Sequence, residues 1–411
     1  MTRTERQEIV VNKWIANKCI GTCVAATGVG KTRIGLMSIK RFLDKNPGRS
    51  VMVIVPTQEL KNQWEKQLEE WGFFMIVEVY IINTVIKNKY KVDLLILDEI
   101  HRLGAPFFLK VFDVVNYKLC LGLTATLEKL DGHHKIIEKF IPVIDNISLQ
   151  EALANSWLAP YKEYKVLIDV DLTEYRKFDK EFKEHFAFFD FNFDVAMKCA
   201  TNWKIRNNFI QTHCVLNDKK EYTTQVMYHA MGFVRSLKNR KEFIYKHPKK
   251  IEITNTILEH RIDKKAITFS PTIDIAEKIK YGYILHSKQT KKKRAIAMEE
   301  FSNLETGVIN SSKALCEGVD IAGLNLGIIL TGDSSKLTKT QKTGRIIRFS
   351  PNKEAELFTL VLNNTVDDEW FKRSNTNTDY IVINETELMN VLNNKPYSEL
   401  KEKTTNLMFR F

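Results

Sequence analysis

The chain has 411 residues, a formal net charge of +12 at pH 7, and 44% hydrophobic residues. This length exceeds what one hydrophobic core usually supports, so two or three domains are expected. The positive charge favours a polyanionic partner, and a lysine-rich surface that only confers solubility explains it equally well. The sequence contains no stretch of 18 apolar residues, so no membrane span is predicted. Residues 1–10 lack the apolar region of a signal peptide.

The cysteines are scattered, and no second Cys or His pair at zinc spacing accompanies Cys19 and Cys23. We therefore expect reduced, mostly buried thiols and a reducing compartment, which favours the cytoplasm. The cysteines are Cys19, Cys23, Cys120, Cys199, Cys214 and Cys316.

The first segment that carries chemistry is Ala-Ala-Thr-Gly-Val-Gly-Lys-Thr at residues 25–32. It follows a short apolar run and precedes a predicted helix, Arg33 to Phe42, which is the context of a phosphate-binding loop. Lys31 can reach the β- and γ-phosphates, and the Thr32 hydroxyl can ligate Mg²⁺. Ala25 stands where the general pattern has Gly, so an ordinary strand–helix connection is the alternative. The residues predicted to contact a nucleoside triphosphate are Thr27, Gly28, Val29, Gly30, Lys31 and Thr32.

An acidic pair follows the apolar run Leu94–Leu97. Four apolar residues that end in two carboxylates are typical of a buried parallel strand with a functional carboxyl end. Asp98 is predicted to hold the metal, and Glu99 to orient and deprotonate the attacking water. A solvated strand end is the alternative when this pair is considered alone.

Residues 1–150 alternate strand and helix patterns, which predicts a doubly wound α/β domain with its ligand at the carboxyl ends of the strands. The predicted strands are Val51–Val55, Leu94–Leu97 and Cys120–Leu123, and the predicted helices are Gln58–Trp71 and Phe107–Val114. A second α/β pattern occupies residues 151–411. Its predicted strands are Tyr164–Val170, Ala266–Phe269, Gly307–Ile309, Leu326–Leu330 and Leu357–Leu362, with helices at Ile273–Ile279 and Lys291–Phe301.

A mostly helical insertion is predicted at about residues 171–260 within the second domain. Its first part is rich in phenylalanine, for which an aromatic hairpin core is favoured over base stacking. Its later part, residues 201–250, has eleven Lys and Arg against three Asp and Glu. This basic part either grips nucleic-acid phosphates or forms a solvated face. The phenylalanines are Phe182, Phe186, Phe188, Phe189, Phe191 and Phe193, and the candidate phosphate contacts are Arg235, Lys238, Arg240 and Lys241.

With both domains in view, the order of the motifs resembles that of superfamily 2 helicases. This family accepts Ala at the start of its first motif, and the likeness covers nearly the whole chain. It implies two RecA-like lobes, residues 1–150 and 151–411. The matching segments are Ala25–Thr32, Asp98–His101 (the DExH form of the second motif), Thr124–Thr126, Phe269–Ser270, Ala314–Asp320 and Gln341–Arg348.

Finer features resemble the XPB and UvsW type of this superfamily, which includes DNA translocases and phage branch-migration helicases. They are Asp131-Gly132, Leu158-Ala159-Pro160 at the domain crossing, the helical insertion, and Gln7, which resembles the glutamine that reads adenine. The chain departs from the usual pattern at three positions, which concern fine nucleotide contacts. Thr4 and Lys342 replace the more usual arginines, and Leu127 replaces a frequent proline.

The resemblance implies roles for further residues. Arg345 and Arg348 would reach the γ-phosphate from the second lobe, while Gln341 and Asp320 would lie at the seam. His101 would link the second motif to the sixth, although a histidine satisfied at a strand end is the alternative. Gln7, Gly318 and Asp320 would join the ATP-binding residues, and Thr124 and Thr126 would couple ATP to nucleic acid. Candidate nucleic-acid contacts, each of which could instead cap a helix or turn, are Pro56, Thr57, Asn83, Thr84, Ser270, Ser311 and Ser312.

The sequence therefore predicts a monomeric helicase or translocase that uses ATP and Mg²⁺ and acts on branched or forked DNA, without a membrane partner. Its compact size and frequent Lys, Asn and Ile hint at a phage or virus source, and hence at the cytoplasm of a host. An ATP-gated clamp that binds nucleic acid without unwinding it is one alternative, and an RNA helicase is another.

Overall fold

A computed structural model of the chain describes residues 1–101, 108–126, 134–213, 219–312, 321–332, 335–350, 353–375 and 379–393. Several predicted features lie outside these residues: Asp131-Gly132, Leu127, Cys214, and the whole of the fifth motif, Ala314–Asp320, which includes Cys316, Gly318 and Asp320. No helix in the described ranges has an apolar stretch long enough to cross a bilayer. Within them Cys19, Cys23, Cys120 and Cys199 carry free thiols.

The first lobe runs from α1 to α7 around one six-stranded parallel sheet. Its strands are β1 (Ile20–Ala25), β2 (Val51–Val55), β3 (Val77–Ile81), β4 (Tyr90–Asp98), β5 (Val115–Thr124) and β6 (Val143–Ile147). Its helices are α1 (Arg3–Ala16), α2 (Lys31–Lys45), α3 (Gln58–Glu70), α4 (Ile82–Val85), α5 (Val111–Val114), α6 (His134–Phe140) and α7 (Leu149–Ala154). The strand order is β3-β2-β4-β5-β1-β6.

Helices cover both faces of this sheet, which is why its central strands are continuous apolar runs. One core contains Val10 of α1, Leu36 of α2 and Trp64 of α3. The opposite core contains Val85 of α4 and Ile137 of α6. The helix predicted from Phe107 is shorter than expected. Residues 108–110 form a 3₁₀ turn, and α5 has only four residues before β5 begins.

The second lobe holds a seven-stranded parallel sheet in the order β13-β7-β12-β11-β8-β10-β9. Its strands are β7 (Tyr161–Ile168), β8 (Lys265–Ser270), β9 (Tyr283–His286), β10 (Gly307–Ser312), β11 (Leu326–Ile329), β12 (Ala355–Leu362) and β13 (Ile381–Ile383). Helices α13 (Ile273–Lys278), α14 (Lys291–Asn303), α15 (Lys336–Ile346), α16 (Val366–Ser374) and α17 (Glu385–Leu392) accompany them. The predicted α/β class with two doubly wound parallel sheets is confirmed. Strand β7 joins the second sheet across the helical segment, as predicted.

Between β7 and β8 the chain forms five helices. They are α8 (Thr173–Ala187), α9 (Phe193–Thr201), α10 (Trp203–His213), α11 (Lys219–Lys246) and α12 (Pro248–His260). Helices α8 to α10 and most of α11 enclose a small core of their own around Phe189 and Phe233. Helix α12 instead packs Ile253 and Ile257 into the main core of the second lobe. The helical arm is therefore α8 to α11, and α12 is part of the lobe that supports it.

The phenylalanines of the arm divide between two environments. Phe189 is buried, and Phe182, Phe186 and Phe188 pack against the same core, as favoured from the sequence. Phe191 and Phe193 are exposed at the surface of the arm, although their rings contact Phe186.

The two lobes meet along the segment that follows α7. Leu158 forms an antiparallel bridge with Arg348, and the Ala159 amide donates to the carbonyl of Ile347 at 2.8 Å. This segment of chain therefore fixes the end of α15 beside the first lobe.

Candidate active site

The phosphate-binding loop joins β1 to α2 and depends on two glycines in left-handed conformation. Gly28 has φ +93° and Gly30 has φ +96°, a region that residues with a side chain rarely adopt. A β-carbon at Gly30 would also lie 2.6 Å from Nε2 of Gln7, so the Gln7 side chain would have to move. Lys31 is the first residue of α2. The backbone N–H groups of the loop and the helix N-terminus therefore form a place where an anion binds.

The carboxyl end of β4 presents Asp98, which is buried at 8% exposure. The indole Nε1 of Trp64 donates to its Oδ2 at 2.8 Å, and the Glu99 amide donates to its Oδ1 at 2.9 Å. Burial and the neighbouring Glu99 charge raise the pKa of Asp98 to about 6, while the Trp64 hydrogen bond opposes that rise. Trp64 was not among the predicted site residues. Its only signal in the sequence was a tryptophan in a predicted covering helix.

Glu99 stands in an unusual backbone conformation, with φ +50°. Such strain in a residue other than glycine is often found at functional sites. Its Oε1 lies 3.9 Å from the Lys31 ammonium, and its Oε2 lies 3.3 Å from Nδ1 of His101. The same Nδ1 is 3.0 Å from the Thr124 hydroxyl, which in turn donates to the carbonyl of Thr126 at 2.7 Å. Through Nδ1, His101 therefore links the second motif to the third, and its link to the sixth motif stays a prediction.

The second lobe contributes to the cleft through α15 and the residues after it. Helix α15 begins at a cap in which the Ser335 hydroxyl accepts from the Thr338 amide. Gln341 and Arg345 on this helix are both less than a tenth exposed, and Arg348 follows the helix half-buried. Burial lowers the pKa of Arg348.

A buried ion pair holds the first turn of α15 in place. The ammonium of Lys339 donates to Oε1 of Glu163 on β7, and the side chain of Asn375 donates to the same oxygen at 3.2 Å. Both charged residues are at most 5% exposed. Neither Glu163 nor Lys339 was singled out in the sequence.

These groups surround one cleft of about 400 Å³ between the lobes. A triphosphate and its metal fit this donor set, since ammonium, guanidinium and N–H groups face two carboxylates and a hydroxyl. Oε1 of Gln7 is buried without a hydrogen-bond partner among the described residues, which leaves an acceptor for a ligand. The cleft is lined by Arg3, Gln7, Thr27, Gly28, Gly30, Lys31, Thr32, Arg33, Leu60, Gln63, Gln67, Asp98, Glu99, Gln341, Arg345, Arg348 and Phe349.

The predicted nucleic-acid contacts lie at the carboxyl ends of strands in both lobes. Thr57 accepts from the Leu60 amide and caps α3, so the helix-cap alternative is present at that position. Pro56 is half-buried, and Asn83 and Thr84 are exposed. In the second lobe Ser270 ends β8, and Ser311 and Ser312 end β10, all at most 6% exposed. A role in nucleic-acid binding stays a prediction for this set.

The basic residues of α11 do not share one environment. Arg235 and Lys238 are exposed, and Lys241 is half-buried. Arg240 is buried at 8% exposure, forms an ion pair with Asp179 at 2.9 Å, and lies 4.1 Å from the ring centre of Phe182. The expectation that Arg240 contacts DNA phosphates is therefore wrong, because its guanidinium braces α11 against α8 inside the arm.

Comparison with known proteins agrees with this geometry. Residues 1–80 and 73–129 match the family model described as type III restriction enzyme, res subunit, and residues 249–350 match that of the helicase conserved C-terminal domain. Over 391 residues the chain is 26% identical to the DNA 3'-5' translocase XPB2 of Sulfurisphaera tokodaii, covering 88% of this chain and 82% of that one. This chain is a superfamily 2 helicase.

Solved helicase structures have the same fold as this superfamily 2 helicase. The Hef helicase domain of Pyrococcus furiosus superposes with a TM-score of 0.53 at 16% identity, covering 90% of this chain and 97% of that one. Dbp5 of S. cerevisiae, bound to RNA and ADP BeF₃, gives 0.58 at 13% identity, covering 94% and 91%. As a superfamily 2 helicase, the protein is an ATP-hydrolysing enzyme that acts on nucleic acid.

Proposed function

We propose that this superfamily 2 helicase is an ATP-dependent DNA translocase that acts on branched or forked DNA, in recombination, replication or repair. The observation that carries the proposal is the cleft, where Lys31 and Glu99 of one lobe face Arg345 and Arg348 of the other. The likeness to an archaeal DNA translocase over most of the chain supports DNA as the nucleic acid along which this enzyme moves. The helical arm of α8 to α11 supports a branched substrate, because its exposed Arg235 and Lys238 add a basic surface outside the two lobes.

In this proposal the first lobe holds the triphosphate. The amides of the loop and Lys31 bind its phosphates. Asp98 and Thr32 would hold Mg²⁺, which would supply positive charge against the phosphate oxygens. The Lys31 ammonium lies 3.9 Å from Oε1 of Glu99. A phosphate competes for that ammonium, and Glu99 is then released to accept the proton of the attacking water.

The second lobe completes the site. Arg345 and Arg348 neutralise the γ-phosphate during transfer, and an arginine supplied in this way accelerates hydrolysis by roughly 10³–10⁵-fold. Gln341 on the same helix orients the water. Because these groups come from the far side of the cleft, hydrolysis requires closure, and loss of the γ-phosphate favours opening.

Each lobe contacts the nucleic-acid strand. When the cleft opens or closes, the contacts of one lobe move along the strand relative to those of the other lobe. The strand-end residues of both lobes would contact phosphates, since a motor must not depend on sequence. A change in the contacts of Glu99 would be transmitted to the nucleic-acid-binding residues through the hydrogen bonds that join His101, Thr124 and Thr126. Both halves of the cleft belong to one chain, which supports a monomeric motor, and we expect it to work in the cytoplasm.

The test is ATPase stimulation across five substrates: single-stranded DNA, duplex DNA, forked DNA, a four-way junction and RNA. We expect the forked DNA and the junction to stimulate hydrolysis most. Stimulation by RNA alone would establish the RNA helicase instead. Strand displacement with ATP and with a non-hydrolysable analogue separates a motor from a clamp, because a clamp gives the same result with both.

A further inference from the structure

One exposed face of α11 changes from apolar to basic along the helix. Met227, Tyr228 and Met231 form its outer half and are 44%, 61% and 56% exposed. Arg235 and Lys238 are also exposed and continue the face toward the second lobe, whose core holds the far end of α11. Spacings of three and four residues place these five side chains on one side of the helix, over about 16 Å. We call this surface the α11 face.

The charge of the α11 face indicates what kind of partner it fits. Residues 224–238 contain no aspartate or glutamate, so the basic half attracts an anion. The next acidic side chain is Glu242, whose Oε1 lies 4.0 Å from the Lys238 ammonium, and such an exposed pair is weak.

The apolar half narrows the choice of partner further. Single apolar residues are common on protein surfaces, but three neighbouring ones on one helix face are typical of a binding surface. A strand of nucleic acid matches both halves, because it carries phosphates along its backbone and bases with flat π faces.

Tyr228 is held in position although most of its side chain is exposed. Its ring lies nearly perpendicular to those of His185 and His229, with centroid distances of 5.2 Å and 5.1 Å. The two imidazoles are themselves in contact, with 3.2 Å between their Nδ1 atoms. An exposed ring that is already held in this way loses little conformational entropy when a base stacks on it.

We propose that the α11 face binds an unpaired strand of branched DNA, with Tyr228 stacked on a base and Arg235 and Lys238 bound to phosphates of the same strand. Met227 and Met231 extend the apolar surface beside the stacked base. The proposal rests on the proposed function and adds how the arm distinguishes a branch from a continuous duplex.

The distinction follows from the structure of DNA. In a duplex the bases stack on one another and present only their edges in the grooves, so a tyrosine on a protein surface meets no base face there. An unpaired strand presents those faces. Phosphate contacts alone do not separate the two forms, because both carry phosphates.

The experiment removes the bases and keeps the phosphates. Fluorescence anisotropy measures binding of the full-length protein, without nucleotide, to a forked DNA, to the same fork with abasic single-stranded arms, and to a blunt duplex. We expect Tyr228→Ala to weaken binding of the normal fork roughly tenfold, the usual effect of losing one stacked base, while Tyr228→Phe retains it. Neither variant should change binding of the abasic fork or the duplex. Arg235→Gln should weaken binding of the normal and the abasic fork alike, because it removes a phosphate contact.

Phe74→Ala is the matched control, because Phe74 is an aromatic residue of the first lobe that is 49% exposed. Thermal melts check that each variant is folded. Equal losses on the normal and the abasic fork in Tyr228→Ala would overturn the proposal, since the ring would then not contact a base. Unchanged binding of every probe would overturn it as well, and would assign the apolar half of the α11 face to a partner protein. Failure of the proposed function has a different signature: wild-type protein whose ATPase is stimulated by none of the DNA probes.

Discussion

Gly344 of α15 lies directly against Thr27 of the phosphate-binding loop, and a β-carbon added to Gly344 would fall 2.2 Å from Cβ of Thr27. Real atoms do not approach so closely, so this contact between the sixth and first motifs exists only because residue 344 has no side chain. The two lobes thereby bring Arg345 to the loop that binds phosphate. The glycine is a condition for cleft closure.

Gly344→Ala should therefore separate the lobes at this point and lower kcat for ATP hydrolysis, on the order of a hundredfold for a displacement near 1 Å. ADP affinity of the first lobe should persist. Alanine favours a helix over glycine by about 1 kcal/mol, so the thermal midpoint should not fall. Steady-state ATPase assays, ADP calorimetry and thermal melts check this. A variant with wild-type kcat would show that the contact is dispensable.

Trp64→Phe removes the N–H that donates to Asp98 at 2.8 Å. The charged form of Asp98 loses a donor, so its pKa, already about 6, should rise further. We expect the Mg²⁺ concentration for half-maximal ATPase to rise roughly tenfold, and more steeply as pH falls toward 6. Trp71→Phe is the control at the end of the same helix. An equal Mg²⁺ dependence in both variants would refute the role of Trp64.

Lys31→Ala should abolish ATP hydrolysis because the phosphates lose their charge compensation. Glu99→Gln should retain ATP binding and lose turnover by roughly 10²–10⁴-fold, since a neutral amide cannot accept the proton. Calorimetric ATP binding and single-turnover hydrolysis separate the two effects. Near-normal turnover in Glu99→Gln would exclude Glu99 as the base.

Lys339→Met should destabilise the second lobe, because it leaves the Glu163 carboxylate buried without its charge partner. Breaking such a pair typically costs about 3–5 kcal/mol, whereas replacing both partners by apolar residues is often nearly neutral. The double variant Glu163→Leu/Lys339→Met should therefore regain most of the thermal midpoint. A single variant as stable as wild type would show that the pair does not hold α15.

Replacing Arg235, Lys238 and Lys241 by Gln should weaken DNA binding equally across sequences. The slope of log K against log salt should flatten by about one for each DNA phosphate that the variant no longer neutralises. ATPase without DNA should barely change, because the cleft lies elsewhere. Fluorescence anisotropy over a salt series measures the slope.

The matched control for this triple variant neutralises Lys40, Arg49 and Lys118, which are exposed on the first lobe. Arg240→Gln provides a second comparison, since the structure predicts a loss of stability there. An unchanged salt slope in a well-folded triple variant would mean that the basic face of the arm only confers solubility.

The sequence by itself was sufficient to identify the ATP-hydrolysing motifs of a helicase. A phosphate-binding loop is built from consecutive residues, and an acidic pair follows directly after an apolar run, so both can be read from local order. Apolar runs also predicted most strands, because strands covered by helices on both faces have no polar side. The order of the motifs predicted the superfamily, which is confirmed.

Only the tertiary structure decided the contacts between distant segments. Trp64 of helix α3 donates to Asp98 at the end of strand β4, Glu163 pairs with Lys339 across 176 positions, and Arg240 turns inward to Asp179. Each of these contacts depends on how the elements pack. The local sequence around a charged residue on a helix does not show whether that residue is exposed and free to contact nucleic acid or buried in an ion pair.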